Sequence, residues 1–185
     1  MKGSGQQLET AIARIHRHYG TSGRCWAWHT YPPFLIDRRL KGGRFYGRLL
    51  GEAPPDYLVF AGGRFLMIEA KTIRKERFPF ANLPPHQARQ LSIVDGFRDA
   101  AGVLIVRCVP AAETIALFWA DVEEGWGQWH ATRGSSTRAA PGSASMAWAE
   151  MRDLAVWIGR GPDVDYLDRV VEAFDQRKDW KPWDK

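Results

Sequence analysis

From Gln6 to Tyr19 the apolar residues Leu8, Ile12, Ile15 and Tyr19 recur at helical spacing, and Gly20 follows as a stop. This pattern predicts an amphipathic helix. The aromatic run from Arg24 to Tyr31 reads as a strand that Pro32-Pro33 ends. Asp56 to Phe60 and Arg64 to Lys71 are short apolar runs on either side of Gly62-Gly63, a two-residue hairpin signal, so these strands should pair antiparallel. After a basic, proline-marked loop, Pro85 stands where a first helical residue is favoured. Ala88, Leu91, Val94 and Phe97 then supply an apolar face for a helix expected to end near Gly102. Val103 to Val109 and Thr114 to Trp119 are two further strands, which makes a sheet of about five. Ala131 to Ser145 has the composition of a flexible loop. Helices are expected over Ala147 to Ile158 and Val164 to Phe174, and the Trp-rich tail with Trp180 and Trp183 is unassigned. No internal repeat or domain boundary is visible, so residues 1–185 are expected to form a single domain.

Length and composition leave this picture intact: 185 residues, 45% hydrophobic and 25% charged, suit one globular domain that can bury a core without staples. Cys25 and Cys108 need not pair, and no Cys-x-x-Cys or His-Glu-x-x-His pattern points to zinc. No signal peptide or membrane-length apolar run is visible, so a reduced cytoplasmic protein without membrane contact is the expectation. Charge is more informative. Residues 1–50 hold 9 Lys/Arg against 2 Asp/Glu, whereas the rest of the chain is slightly acidic. The excess concentrates between Phe34 and Pro55, where Arg38, Arg39, Lys41, Arg44 and Arg48 stand with Phe45 and Tyr46 around Gly42-Gly43. A local basic segment of this kind is the footprint of a nucleic-acid binder, although charge alone fits a merely basic protein equally well.

Candidate chemistry follows from strand register. If Gly62-Gly63 forms the two-residue loop, Phe60 pairs with Phe65, Leu58 with Met67, and Asp56 with Glu69. Opposed side chains have Cβ atoms about 4.5–5.5 Å apart, and like charges there destabilise a sheet unless something compensates. A hard divalent cation would compensate, because Mg²⁺ takes oxygen ligands from one or two carboxylates and keeps its other positions for water and phosphate. The period of two also puts Lys71 on the face of Glu69, while Leu66, Ile68 and Ala70 point the other way into a core. Asp, Glu and Lys then converge on one patch suited to phosphodiester hydrolysis, with Lys71 orienting the attacking water and stabilising developing charge. The bland alternative is a solvated surface hairpin, and a three-residue loop would move Asp56 off Glu69.

Read linearly, the segment resembles the PD-(D/E)xK nuclease signature. Its setting is more specific: Pro55-Asp-Tyr-Leu-Val-Phe60, Ile68-Glu-Ala-Lys71, Phe78-Pro-Phe-Ala-Asn82, His86-Gln87 and Asp165-Tyr166-Leu167 follow in one order. Together they resemble the RecU-type Holliday junction resolvases over most of the chain. The resemblance implies an α/β, restriction-endonuclease-like mixed β-sheet flanked by helices. It also implies a homodimer and Mg²⁺-dependent paired nicking of four-way DNA junctions, with Mn²⁺ as a possible substitute. By the same resemblance Asp56 and Glu69 are the metal-binding acids, the carbonyl of Ala70 is a backbone ligand, and Lys71 is the catalytic lysine. Glu9 maps onto an N-terminal acid of such nucleases, although a first-turn Glu is also favoured simply by the helix dipole. The segment of about 32–55 takes the place of a protruding basic stalk whose cations neutralise phosphate and whose aromatics stack on bases. Gln87, opening the helix after the site, is a further candidate for phosphate contact. His86 is expected only to cap that helix, and His16 and His18 to lie on the surface. Pro54-Pro55 stand where the family carries hydroxyl residues. A nuclease of duplex or flap DNA, and a junction binder with an inactive site, are the alternatives.

Overall fold

A computed structural model describes residues 4–132, 144–160 and 164–177. In chain order it contains helix α1 (Ser4–Thr21) and strands β1 (Trp26–His29), β2 (Phe34–Arg39), β3 (Phe45–Leu49), β4 (Tyr57–Ala61), β5 (Arg64–Ile73) and β6 (Arg77–Pro79). Helix α2 (Pro85–Asp95), strands β7 (Ala100–Cys108) and β8 (Glu113–Phe118), and helix α3 (Ala120–Thr132) follow. Strand β9 (Ser145–Ala147), helix α4 (Trp148–Leu154), strand β10 (Trp157–Arg160) and helix α5 (Leu167–Gln176) complete it. The central sheet has six strands in the order β1-β4-β5-β7-β8-β10. Among the described residues only β5 and β7 pair in parallel, joined through β6 and α2, because parallel neighbours need a long crossover. The expected mixed sheet flanked by helices is therefore what the chain forms.

Side-chain alternation along the inner strands builds two cores. On one face Val59, Leu66, Ile68, Val103 and Ile105 pack against Leu8 and Ile12 of α1 and Leu167 and Val170 of α5. On the other, Leu104, Val106, Ile115 and Leu117 pack against Leu91 of α2, Val122 of α3 and Met151 of α4. Strands apolar on both faces belong in the middle of a sheet, and β7 and β8 sit there.

The hairpin register is the one read from the sequence. Phe60 opposes Phe65 and Leu58 opposes Met67, with Tyr57 and Ile68 as the last ladder pair. Gly62 and Gly63 both have positive φ, 57° and 76°, as a type I′ turn demands.

Elsewhere the structure corrects the sequence reading. The helix from Pro85 ends at Asp95, not near Gly102, and Phe97 is exposed beyond it. Residues from Ala100 onward are drawn into parallel pairing with β5. Gly102 lies where α2 and the strand nearly touch, since a Cβ there would meet Leu91 and Trp119 at 3.0–3.2 Å. The expected helix over Ala147 to Ile158 stops at Leu154, because Trp157 to Arg160 instead pair with the free edge of β8 as a sixth strand. Helix α3 was missed although Val122, Trp126 and Trp129 carry helical spacing. Of the expected 131–145 loop, 131 and 132 end α3 and Ser145 opens β9. Residues 133–143, like the Trp-rich tail, lie outside the described residues. Among the described residues no helix is long and apolar enough to cross a membrane.

Candidate active site

Asp56 lies one residue before β4, held from both sides. Its backbone carbonyl accepts from the Thr30 amide at 2.9 Å, the Thr30 hydroxyl donates to the Pro55 carbonyl, and its own Oδ2 accepts from the Ala70 amide at 2.9 Å. The ladder thus ends just short of an Asp56–Glu69 pair, and Asp56 reaches the backbone beside Glu69. Burial raises the Asp56 carboxyl above its usual range, while the Ala70 N–H, Lys71 and His29 oppose that shift.

Glu69 is 1% exposed on β5. Its Oε1 pairs with Lys71 Nζ, two residues along the same face, and its Oε2 is buried without a hydrogen-bond partner. Burial pushes its carboxyl up to about 7, with Asp56 adding to the rise and Lys71 opposing it. The ammonium of Lys71 also donates to Gln87 Oε1 at 3.1 Å. An ammonium has three donors, so one is left for a water or a phosphate oxygen.

The structure thus brings Asp56, Glu69, Lys71 and Gln87 together on the sheet face covered by α2, with Ala70 reaching the group through its backbone while its side chain packs on the other core. Gln87 is buried rather than open to phosphate, and it meets the site through the lysine. Glu9 stands on the opposite side of the sheet, exposed on α1, where its carbonyl accepts from the Tyr57 hydroxyl at 3.1 Å. Its carboxylate helps raise the Tyr57 phenol, secondary to burial. His86 does not cap α2, whose N-cap is Pro84; it pairs with Glu52 at 3.3 Å and ties the helix to the arm.

His16, expected at the surface, is buried, because its ring lies among Tyr19, Tyr57 and Tyr166 and takes a 2.6 Å hydrogen bond with the Tyr166 hydroxyl. Burial lowers its pKa to about 4. Tyr19 donates to Asp165 at 2.8 Å, so the Asp165-Tyr166-Leu167 motif clasps α1 to the sheet behind the site. His29 is a neighbour of the site that the sequence reading passed over. Its ring stacks on Tyr57 with centroids 4.7 Å apart. Nothing in local spacing marks it, since β1 and β4 meet only in the sheet.

The basic segment is a separate antiparallel hairpin of β2 and β3, exposed along its length. Its turn uses Gly42 and Gly43 at φ 74° and 73°. A bulge at Asp37 shifts the register, so one face carries Leu35, Arg38, Tyr46 and Arg48, the other Phe34, Ile36, Arg39, Phe45 and Leu49. Arg38 lies over the Tyr46 ring and Arg39 over Phe45, at 6.0 and 5.7 Å. Lys41 and Arg44 flank the tip.

The model of the family described as RecU, Recombination protein U, matches residues 3–172. This chain belongs to the RecU family. The RecU family is one of Holliday junction resolvases, and this member is a nuclease acting on Holliday junctions. The motifs quoted above all lie inside the matched span. No match is found among curated proteins. Solved structures similar to this chain include Hjc of Archaeoglobus fulgidus, a Holliday junction resolvase from an archaeal hyperthermophile. It is 13% identical over 60% of this chain and 77% of that one, with a TM-score of 0.37. The protein SSO0001 is 18% identical over 72% and 61%, with a TM-score of 0.34. The assignment rests on the family model. Membership brings branched DNA as the substrate and a divalent metal as the cofactor class.

Proposed function

We propose that this chain resolves four-way junctions by metal-dependent hydrolysis of opposed phosphodiesters, with Mg²⁺, or Mn²⁺ in its place, held by Asp56, Glu69 and the carbonyl of Ala70. One observation carries the metal assignment: Glu69 Oε2 is buried, has no partner and sits in a site with a second carboxylate. Leaving such an oxygen unsatisfied is costly, and a hard cation supplies what a protein donor does not. When bound, the cation polarises the phosphoryl oxygen and lowers the pKa of water. Lys71 directs its remaining N–H donor at the attacking water or the phosphate, and Glu69 keeps that ammonium in place.

The hairpin, residues of about 32–55, is the stalk that enters the junction, within a single nuclease domain of residues 1–185. Arg38, Arg39, Lys41, Arg44 and Arg48 neutralise phosphates, and Phe45 and Tyr46 stack on bases. The active unit is a homodimer. An isolated two-stranded hairpin is marginal in water, yet this one leaves Phe34, Ile36, Phe45 and Leu49 uncovered on one face. Trp26, Trp28 and Phe60 form a second exposed apolar cluster nearby on β1 and β4. A second copy covers this surface and brings two sites to two strands. Its two free cysteines suit the reducing cytoplasm, where we place the protein.

The test is cleavage of a labelled four-way junction and a matched linear duplex by the wild type and Asp56→Ala, with Mg²⁺, Mn²⁺ or EDTA. Paired nicks confined to the junction, dependent on metal and lost in the variant, are expected. Equal cutting of the duplex, or cutting in EDTA, overturns the reading.

A further inference from the structure

Gln87 is 6% exposed in the first turn of α2, a place where a glutamine is ordinarily hydrated. Pro85 fixes the start of that turn, and Ala88, Leu91 and Val94 anchor the helix in the core beneath the sheet. The amide therefore projects from a rigid support, and its Oε1 accepts from Lys71 Nζ at 3.1 Å. The same ammonium is also held by Glu69 Oε1. A lysine head hangs on four rotatable carbons, with about 2 kcal/mol of rotamer entropy to lose, and one partner on its own strand leaves it free to swing. A second partner on another element removes that freedom.

The chemical type of the partner matters as well as its position. Asp56 and Glu69 already supply two carboxylates, and a third beside Lys71 would cancel the positive charge the lysine offers to phosphate. A neutral amide oxygen fixes the ammonium and leaves its charge unspent. We infer that Gln87 is the positioning residue of Lys71, acting on the chemical step through the lysine rather than by touching DNA. The inference rests on the role given to Lys71 in the proposed function and deepens it.

The experiment compares the full-length wild type, Gln87→Met, Lys71→Met and the double variant in single-turnover junction cleavage with Mg²⁺. Junction affinity is measured separately in EDTA, and folding is checked by thermal melts. Methionine keeps the length of glutamine and removes the acceptor. The expected result is a cleavage rate at saturating protein lowered by about 10- to 100-fold in Gln87→Met, as for partners that orient a catalytic group, with junction Kd unchanged. In the double variant the glutamine change should cost nothing beyond Lys71→Met, since its effect runs through the lysine. An unchanged rate, a weakened junction Kd, or an additive loss in the double variant each overturns the inference. A wild type that fails to cut junctions with metal instead sinks the proposed function, which keeps the two failures apart.

Discussion

Replacing Glu69 by glutamine should stabilise the metal-free protein while removing its activity. Glu69 is 1% exposed and its carboxyl is pushed from an ordinary 4.5 to about 7, chiefly by burial. That displacement corresponds to about 3 kcal/mol of folding free energy. Its sign follows from proton uptake. Below pH 4.5 the residue is protonated in both the folded and the unfolded chain and costs nothing. Between 4.5 and 7 the unfolded chain ionises first, so stability falls as pH rises; above 7 the full cost is present. Glutamine does not titrate and approximates the neutral acid in shape. In EDTA, urea unfolding followed by circular dichroism should therefore show little difference between wild type and Glu69→Gln near pH 4.5. At pH 8 the variant should gain stability, up to about 3 kcal/mol. Adding Mg²⁺ should recover stability in the wild type alone, since binding to the folded state stabilises by mass action. A variant less stable than wild type at pH 8, or a difference that does not change with pH, would refute the account of Glu69 as a strained ligand awaiting a cation.

Three further outcomes test other parts of the structure. Tyr166→Phe leaves the buried His16 without its 2.6 Å partner and should cost about 1–3 kcal/mol in urea unfolding; an unchanged midpoint would show that the clasp behind the site carries no stability. Gly102→Ala places a Cβ 3.0 Å from Trp119 and 3.1 Å from Leu91, so it should destabilise by about 1–3 kcal/mol and, by displacing α2, slow junction cleavage. Normal cleavage by a destabilised Gly102→Ala protein would separate α2 from the chemistry. Arg38→Ala and Arg48→Ala remove exposed cations from one face of the hairpin and should each reduce the salt dependence of junction binding by about one counterion. An unaltered slope would mean that this face does not meet phosphate.

Local information decided a large part of this protein. The Gly62-Gly63 turn set the β4–β5 register, since φ must be positive at both residues and few other residues allow it. Side-chain alternation then put Glu69 and Lys71 on one face, and the ordered motifs pointed to the family. What local pattern could not decide was competition between distant segments. Trp157 to Arg160 read as the end of a helix, yet an open β8 edge elsewhere in the chain recruited them as a strand. Ala100 was claimed from a helix by β5 in the same way. His16 lost its place on the surface because Tyr57 of β4 and Tyr166, just before α5, closed around it beside Tyr19 of its own helix. At the site, Asp56 and Glu69 could be paired on paper, but the coupling of Lys71 to Gln87 could not. That contact joins a strand to a helix through the crossover, and its length depends on how closely α2 packs on the sheet. Periodicity and turns are properties of neighbouring residues and can be read along a chain; burial, edge pairing and a hydrogen bond across elements exist only once the layers have packed.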